Sequence, residues 1–495
     1  LLSTVEHSRL LVSKATDAGR KSLLGQFFTP ATTARFMAGM FKSKSEQICR
    51  LLDAGAGIGS LSAAFLERWE NGGFHFSRVE LDTFEIDETL HQYLNRTLAE
   101  YSPHLNAVIN VRPEDFVHAA VDSLRGSLFA KSLPEYTHAI LNPPYKKIRS
   151  DSAHRTALRQ VGIETVNLYS AFVALSLALL KNGGQLVAIL PRSFCNGPYY
   201  RPFREFILKR AAIRHLHLFG SRNKAFKDDA VLQENIIILL ERGGHQGKVK
   251  VTTSTDDGFS DIQTQQHPFD RIVLPDDPET FIHVPTSAGS DAIELPGSIH
   301  YSLEQIGIKV STGPVVDFRL KEYLRDMPGP NTVPLLYPGH FNGRNIEWPK
   351  PGLKKPNAIQ RNTATEKWLF PNGYYCVVRR FSSKEEKRRI VACVVRPDSF
   401  RNSTLLGLEN HLNVFHEGKK GLPEKIAYGL ATYLNTTAVD ETFRRFSGHT
   451  QVNATDLRLI KYPSRETLSA MGKWAIQCIE PTQAIIDEQM ERLRA

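Results

Sequence analysis

The sequence predicts an α/β protein: a doubly wound, mostly parallel sheet followed by a second domain of mixed α+β character. Through the first 245 residues, apolar runs alternate with amphipathic helical stretches, the pattern of strand–helix–strand units with right-handed crossovers. Two of those runs end in distinctive turns, one through the glycines of 53–59, which free the backbone, and one through the paired prolines of 142–145, which stiffen it. Past residue 245 the alternation fades, and Asp, Thr, Ser and Pro accumulate. At 495 residues the chain is too long for one ordinary domain. Residues 1–245 are assigned to the sheet with an N-terminal helical segment, 246–300 to an irregular extension and linker, and 301–495 to the second domain.

The first 24 residues are charged and helical, with apolar positions at Val5, Leu10 and Val12. Gly25-Gln26-Phe27-Phe28-Thr29-Pro30 follows as a turn, with Thr29 placed to cap a helix that opens at Pro30. A short apolar strand, 48–52, enters Asp53-Ala54-Gly55-Ala56-Gly57-Ile58-Gly59, and a helix follows from Ser60. A second strand, 79–86, ends in Glu85-Ile86-Asp87, and a third, 108–111, leads to Asp115-Phe116. The fourth, His138-Ala139-Ile140-Leu141, runs into Asn142-Pro143-Pro144-Tyr145. Then come an apolar helix at 168–180 and strands at 185–190 and 233–240. In the second domain the apolar runs are short, as at 374–378 and 390–395, among Pro, Gly, Arg and Lys.

A formal charge of +10 favours an anionic partner such as nucleic acid, and 41% hydrophobic with 23% charged residues is a globular balance. The five cysteines are scattered without a Cys-x-x-Cys pair, which argues against zinc and a disulfide framework and fits a reducing cytoplasm. No apolar stretch is long enough to span a membrane. The expectation is a soluble cytoplasmic protein that holds no metal.

Two consecutive prolines donate no backbone hydrogen bonds, so 142–145 ends its strand stiffly and points an amide and carbonyls outward. The Asn142 amide oxygen and the Pro143 carbonyl can together accept both hydrogens of an exocyclic amine, while Tyr145 offers a ring to a flat base. The glycine turn admits close backbone approach, a spacing shared with dinucleotide-binding turns. Asp53 before it suits the cationic amino end of S-adenosylmethionine, and Glu85 suits the ribose hydroxyls. Glu80 and Asp82 compete for that ribose role; Glu85 is preferred because Glu85-Ile86-Asp87 directly precedes a helix. Asp115 suits the adenine amino group of the cofactor, with Phe116 against the purine.

The tetrapeptide 142–145 resembles the catalytic motif of amino-methyltransferases. The order of Phe28-Thr29-Pro30, the glycine turn, Glu85-Ile86-Asp87, Asp115-Phe116 and 142–145 resembles the gamma class of N6-adenine DNA methyltransferases of restriction–modification systems. The likeness covers 20–245 well and extends more loosely to the second domain. It implies a Rossmann-like class I fold binding S-adenosylmethionine through Phe28, Thr29, Pro30, Asp53, Ala54, Gly55, Gly57, Glu85, Ile86, Asp115 and Phe116. It implies catalysis by Asn142, Pro143, Pro144 and Tyr145 on an adenine flipped from double-stranded DNA, with Tyr145 and Phe226 against its faces. It also implies a C-terminal target-recognition domain that reads DNA through Arg344, Asn345, His449, Thr450, Gln451 and Asn453, and a separate restriction endonuclease whose cutting the methylation blocks. An RNA or protein-glutamine N-methyltransferase, or a non-catalytic DNA-binding subunit with this fold, are the alternatives; monomer and dimer both stay open.

Overall fold

Buried strands of near-continuous apolar character build the sheet that the alternation predicts. The computed structural model describes residues 2–15, 28–44, 46–101, 105–126, 132–219, 234–275, 277–285, 298–342, 345–382, 386–446, 451–478 and 481–492. The chain divides into two compact units, Leu1–Ala288 and Gly289–Ala495.

In the first unit nine strands form one sheet: β1 (Ile48–Ala54), β2 (Arg78–Phe84), β3 (Ala107–Arg112), β4 (Tyr136–Leu141), β5 (Leu180–Pro191), β6 (Ala211–Phe219), β7 (Asn235–Arg242), β8 (Val249–Ser254) and β9 (Gln263–His267). Their order is β3-β2-β1-β4-β5-β7-β6-β8-β9. Strands β1 to β5 pair in parallel, and β7 runs antiparallel between β5 and β6. The helices are α1 (Leu2–Ala15), α2 (Ala31–Met40), α3 (Ser60–Glu70), α4 (Glu88–Ala99), α5 (Phe116–Arg125), α6 (Ala153–Gln160), α7 (Leu168–Leu179) and α8 (Arg201–Arg210).

The period-2 alternation of the strands feeds two separate cores. On β5, Leu186, Ala188 and Leu190 join Val117, Val173 and Leu175 of α5 and α7. Val187 and Ile189 point the other way, into a cluster with Met37, Leu61, Phe65 and Leu94 of α2, α3 and α4. Each fully buried Leu, Ile, Val or Phe contributes roughly 1.5–3 kcal/mol relative to exposure, which fixes the central strands and so the loops at their ends.

Three local outcomes differ from expectation. Pro30 itself takes the N-cap position of α2, which has no side-chain cap; Glu6 of α1 accepts from the Ala31 N–H at 2.9 Å instead, and Thr29 is turned to another use. The stretch read as extension and linker supplies β8 and β9 to the sheet. Its inward Thr252 and Ser254 are buried by hydrogen bonds to His215 and His217 rather than by apolar contact, which blurs the strand signal. Strand β6, α6 and α8 have no counterpart in the sequence reading.

The second unit holds β10 (Lys309–Thr312), β11 (Leu324–Arg325), β12 (Thr332–Leu336), β13 (Phe341–Asn342), β14 (Asn345–Ile346), β15 (Ala358–Gln360), β16 (Phe370–Pro371), β17 (Tyr375–Arg379), β18 (Ala392–Val395), β19 (Leu405–Leu408) and β20 (Leu412–His416). They form sheets β10-β20-β17-β18 and β11-β15-β12-β19-β16 and the pair β13-β14. Helices α9 (Glu424–Leu434), α10 (Thr437–Phe446), α11 (Ala454–Leu459), α12 (Arg465–Gln477) and α13 (Gln483–Glu491) follow. Helices α9 and α12 meet backbone to backbone: a Cβ on Gly429 would fall on the Leu468 carbonyl, and one on Gly472 on the Lys425 carbonyl. No described helix is long and apolar enough to cross a membrane.

Candidate cofactor and catalytic site

Strand order reverses between β1 and β4, and an open α/β sheet places its ligand at the carboxyl ends beside such a reversal. Both the glycine turn and the proline turn sit there. A Cβ built on Gly55 would lie 3.8 Å from the Asn142 carbonyl oxygen and 3.8 Å from Pro144 Cδ, so the two turns touch. Gly55 and Gly57 have φ of +80° and +57°, which side-chain-bearing residues rarely adopt.

The turn is held by the end of β2. The Gly55 and Ala56 N–H groups both donate to the Phe84 carbonyl at 2.9 Å. Glu85 Oε2 accepts from the Gly57 N–H and Oε1 from the Asp87 N–H, each at 2.8 Å. Burial pushes the Glu85 carboxyl above its ordinary pKa, against those two bonds. Its competitors are occupied elsewhere. Glu80 pairs with Arg50 and Arg78. Asp82 accepts from Tyr136 of β4 at 2.6 Å and Asn110 of β3 at 2.9 Å, tying β2 to both. Of the three, Glu85 lines the cavity.

That cavity, about 210 Å³, collects Phe28, Gly55, Gly57, Glu85, Ile86, Asp115, Phe116, Asn142 and Pro144 from the sequence-predicted residues. Phe84, Lys146, His154, Leu168 and Phe172 join them without having been assigned a role. Phe172 sits on the apolar α7, where core and site positions look alike in sequence. His154 depends on α6, which no pattern announced; it bonds Asp115 Oδ2 at 2.8 Å. Asp115 also caps α5, accepting from the His118 N–H at 3.2 Å. Burial raises the Asp115 pKa, but the bond and charge of His154 outweigh it, and the net shift is downward.

Asp53, expected to meet the amino end of the cofactor, is fully buried. β1 continues through Ala54, and Asp53 is not among the residues that line the cavity. Its Oδ2 accepts from Ser62 Oγ at 2.6 Å, bracing α3, and burial pushes its carboxyl up to about 7.

The catalytic candidates are anchored from several sides. Asn142 Nδ2 donates to Thr29 Oγ1 at 2.9 Å. Tyr145 Oη donates to the Ile189 carbonyl at 3.2 Å, with its ring edge-on to Tyr169. Backbone bonds from Leu168 to the Lys146 carbonyl and from Ile148 to the Val166 carbonyl, both 2.8 Å, pin the loop to the start of α7. Thr29, Pro30, Ala54, Pro143 and Tyr145 flank the cavity residues in the chain without lining it.

In the second unit Asn345 is exposed on the β13–β14 pair. Gln451 is half-buried at a backbone bridge to Phe381. Asn453 is the N-cap of α11, in a reciprocal capping arrangement with Asp456 that commits its side chain to the helix. Phe226, Arg344, His449 and Thr450 lie outside the described residues.

Residues 97–226 match the family model of the Eco57I restriction-modification methylases. The chain is 54% identical to the Type II methyltransferase M.BsuBI of Bacillus subtilis, over 100% of its own length and 98% of the relative's. It is 42% identical to the Type II methyltransferase M.PstI of Providencia stuartii, over 98% and 95%. Among solved structures, the DrdV–DNA complex shares the fold at a TM-score of 0.53 and 13% identity, the match covering 96% of this chain and 59% of that one. Relatives matched end to end at that identity show that the chain belongs to the Type II methyltransferases of restriction–modification systems.

Proposed function

We propose that this chain transfers a methyl group from S-adenosylmethionine to N6 of adenine in double-stranded DNA, at a specific sequence that a partner endonuclease would otherwise cut. The observation that carries the reading is the meeting of the glycine turn and Asn142-Pro143-Pro144-Tyr145 around one cavity at the strand-order reversal. The cavity suits the cofactor: carboxylates at Glu85 and Asp115 for its hydroxyl and amino donors, and rings at Phe28, Phe116 and Phe172 for its purine. When bound, the cofactor supplies an electrophilic methyl carried on a sulfonium.

The chain's own residues do the rest by positioning and electrostatics. The target atom lies inside the duplex, so the base is flipped out, and the Tyr145 ring stacks on it. The adenine amine is a weak nucleophile because its lone pair is delocalised into the ring. Hydrogen bonds from N6 to Asn142 Oδ1 and the Pro143 carbonyl draw it toward tetrahedral geometry and localise that pair. Thr29 supports this by taking the donor end of the Asn142 amide. The second unit, with Asn345 and Gln451 at its surface, is the target-recognition domain in this reading, and side chains of that kind pair with base edges.

The test is to incubate the protein with methyl-labelled S-adenosylmethionine and unmethylated genomic DNA, then digest to nucleosides. Label in N6-methyladenine is expected. Label in RNA or protein with none in DNA would overturn the substrate assignment and favour the alternatives.

A further inference from the structure

Asp115 is the hub of a small polar cluster at one end of the cavity. Its Oδ1 accepts the His118 N–H and its Oδ2 bonds His154 Nε2. The two side chains are about equally exposed, 27% for Asp115 and 31% for His154, and both line the cavity. A carboxylate carries about four lone-pair positions. With one taken by the helix terminus and one by the imidazole, the plane of the carboxylate is set and two positions remain.

We infer that His154 is a positioning residue for the cofactor: by clamping Asp115 it holds the remaining lone pairs toward the 6-amino group of the adenine moiety, and so sets the preference for a 6-aminopurine cofactor. This rests on the S-adenosylmethionine reading of the cavity. Without the clamp Asp115 keeps its cap on α5 but is free to turn about its last torsion, and water takes the vacated oxygen.

The electrostatics agree with the geometry. Its bond to Asp115 raises the His154 pKa, and Asp115 is lowered in turn. The other charged or titratable groups around the pair are Lys146, which works against the imidazolium, the His118 ring with its centroid 5.1 Å from that of His154, and Glu114, paired with Arg112. Acid that protonates Asp115 removes the acceptor. With His154 gone that protonation comes at higher pH, so cofactor affinity is lost at a less acid pH in the variant.

Calorimetry on the full chain with two ligands tests this: S-adenosylhomocysteine, and its analogue bearing hydrogen in place of the 6-amino group. His154→Ala is expected to weaken the amino ligand about tenfold, the scale of one hydrogen bond to a charged group, and to leave the analogue near its wild-type affinity. His154→Gln, which keeps an N–H donor, recovers part of the loss, and the acid limb of amino-ligand affinity moves to higher pH in His154→Ala. Equal weakening of both ligands, or none, overturns the inference. So does equal sensitivity to His118→Ala, which keeps its backbone donor; that result would point to a cation held by the three side chains. A wild-type protein that binds neither ligand would instead overturn the cofactor reading itself.

Discussion

Asn142 and Thr29, 113 positions apart in the chain, are joined by a 2.9 Å hydrogen bond from amide Nδ2 to hydroxyl Oγ1. The bond uses the donor end of the amide on the protein and turns the oxygen the other way. The contact fixes where the amide sits beside the 142–145 loop. Asn142→Ala is expected to abolish methyl transfer while cofactor affinity stays near wild type. Thr29→Val, which removes the acceptor without changing shape, is expected to lower kcat about tenfold, the scale of one hydrogen bond. Turnover and cofactor titrations on both variants check this, and wild-type-like kcat in Thr29→Val would falsify the orienting role.

Tyr145 is tethered through its hydroxyl to Ile189 on β5, which leaves its ring set before any base arrives. Tyr145→Ala is expected to weaken binding of the flipped base by about 1–3 kcal/mol, as for stacking on single-stranded bases. Tyr145→Phe keeps most of it. A fluorescent base analogue at the target position reports the difference; an undiminished signal in Tyr145→Ala would remove Tyr145 from the stack.

Asp53 is a buried acid whose pKa rises from 3.8 to about 7 on folding. The folded chain therefore holds the proton more tightly than the unfolded one, and stability falls as pH rises through that window. The cost at neutral to alkaline pH is on the order of 4 kcal/mol. Asp53→Asn, still able to accept from Ser62, is expected to flatten that slope. Denaturant unfolding of both proteins between about pH 5 and pH 8 measures it, and parallel slopes would mean the carboxyl is not the source.

The glycine contact between α9 and α12 concerns the second unit alone. Gly429→Ala and Gly472→Ala each put a methyl group against a backbone carbonyl, where no rotamer relieves it. Each is expected to destabilise by about 1–3 kcal/mol, as overpacking does. Unchanged unfolding midpoints would show that the helices have slack.

Strands β4, β5 and β7 were legible because strands covered on both faces are written as nearly unbroken apolar runs, and β1, β2 and β3 from shorter apolar runs ahead of turn residues. The glycine turn, Glu85, Asp115 and 142–145 stood out as candidates because each follows the end of such a run. Strands β6 and β8 escaped because His215, His217, Thr252 and Ser254 occupy inward positions and satisfy one another. Thr29 looked like a helix cap because its spacing to α2 is that of a cap; its actual partner, Asn142, is distant in sequence and near only in space. His154 was hidden for the same reason, as a residue on a short polar helix whose meaning comes from Asp115.

The reversal of strand order has a consequence in time. β1 and the glycine turn emerge from the ribosome first, but the neighbour that completes their side of the sheet is β4, more than eighty residues later. At roughly 5–20 residues per second, that seam stays open for several seconds of synthesis. Phe172 and the α7 residues that close the cavity come later still. A nascent chain therefore carries every strand-end motif up to Phe116 before it has a pocket to put them around, and the glycine turn and the Asn142 amide come together only once the middle of the sheet zips shut.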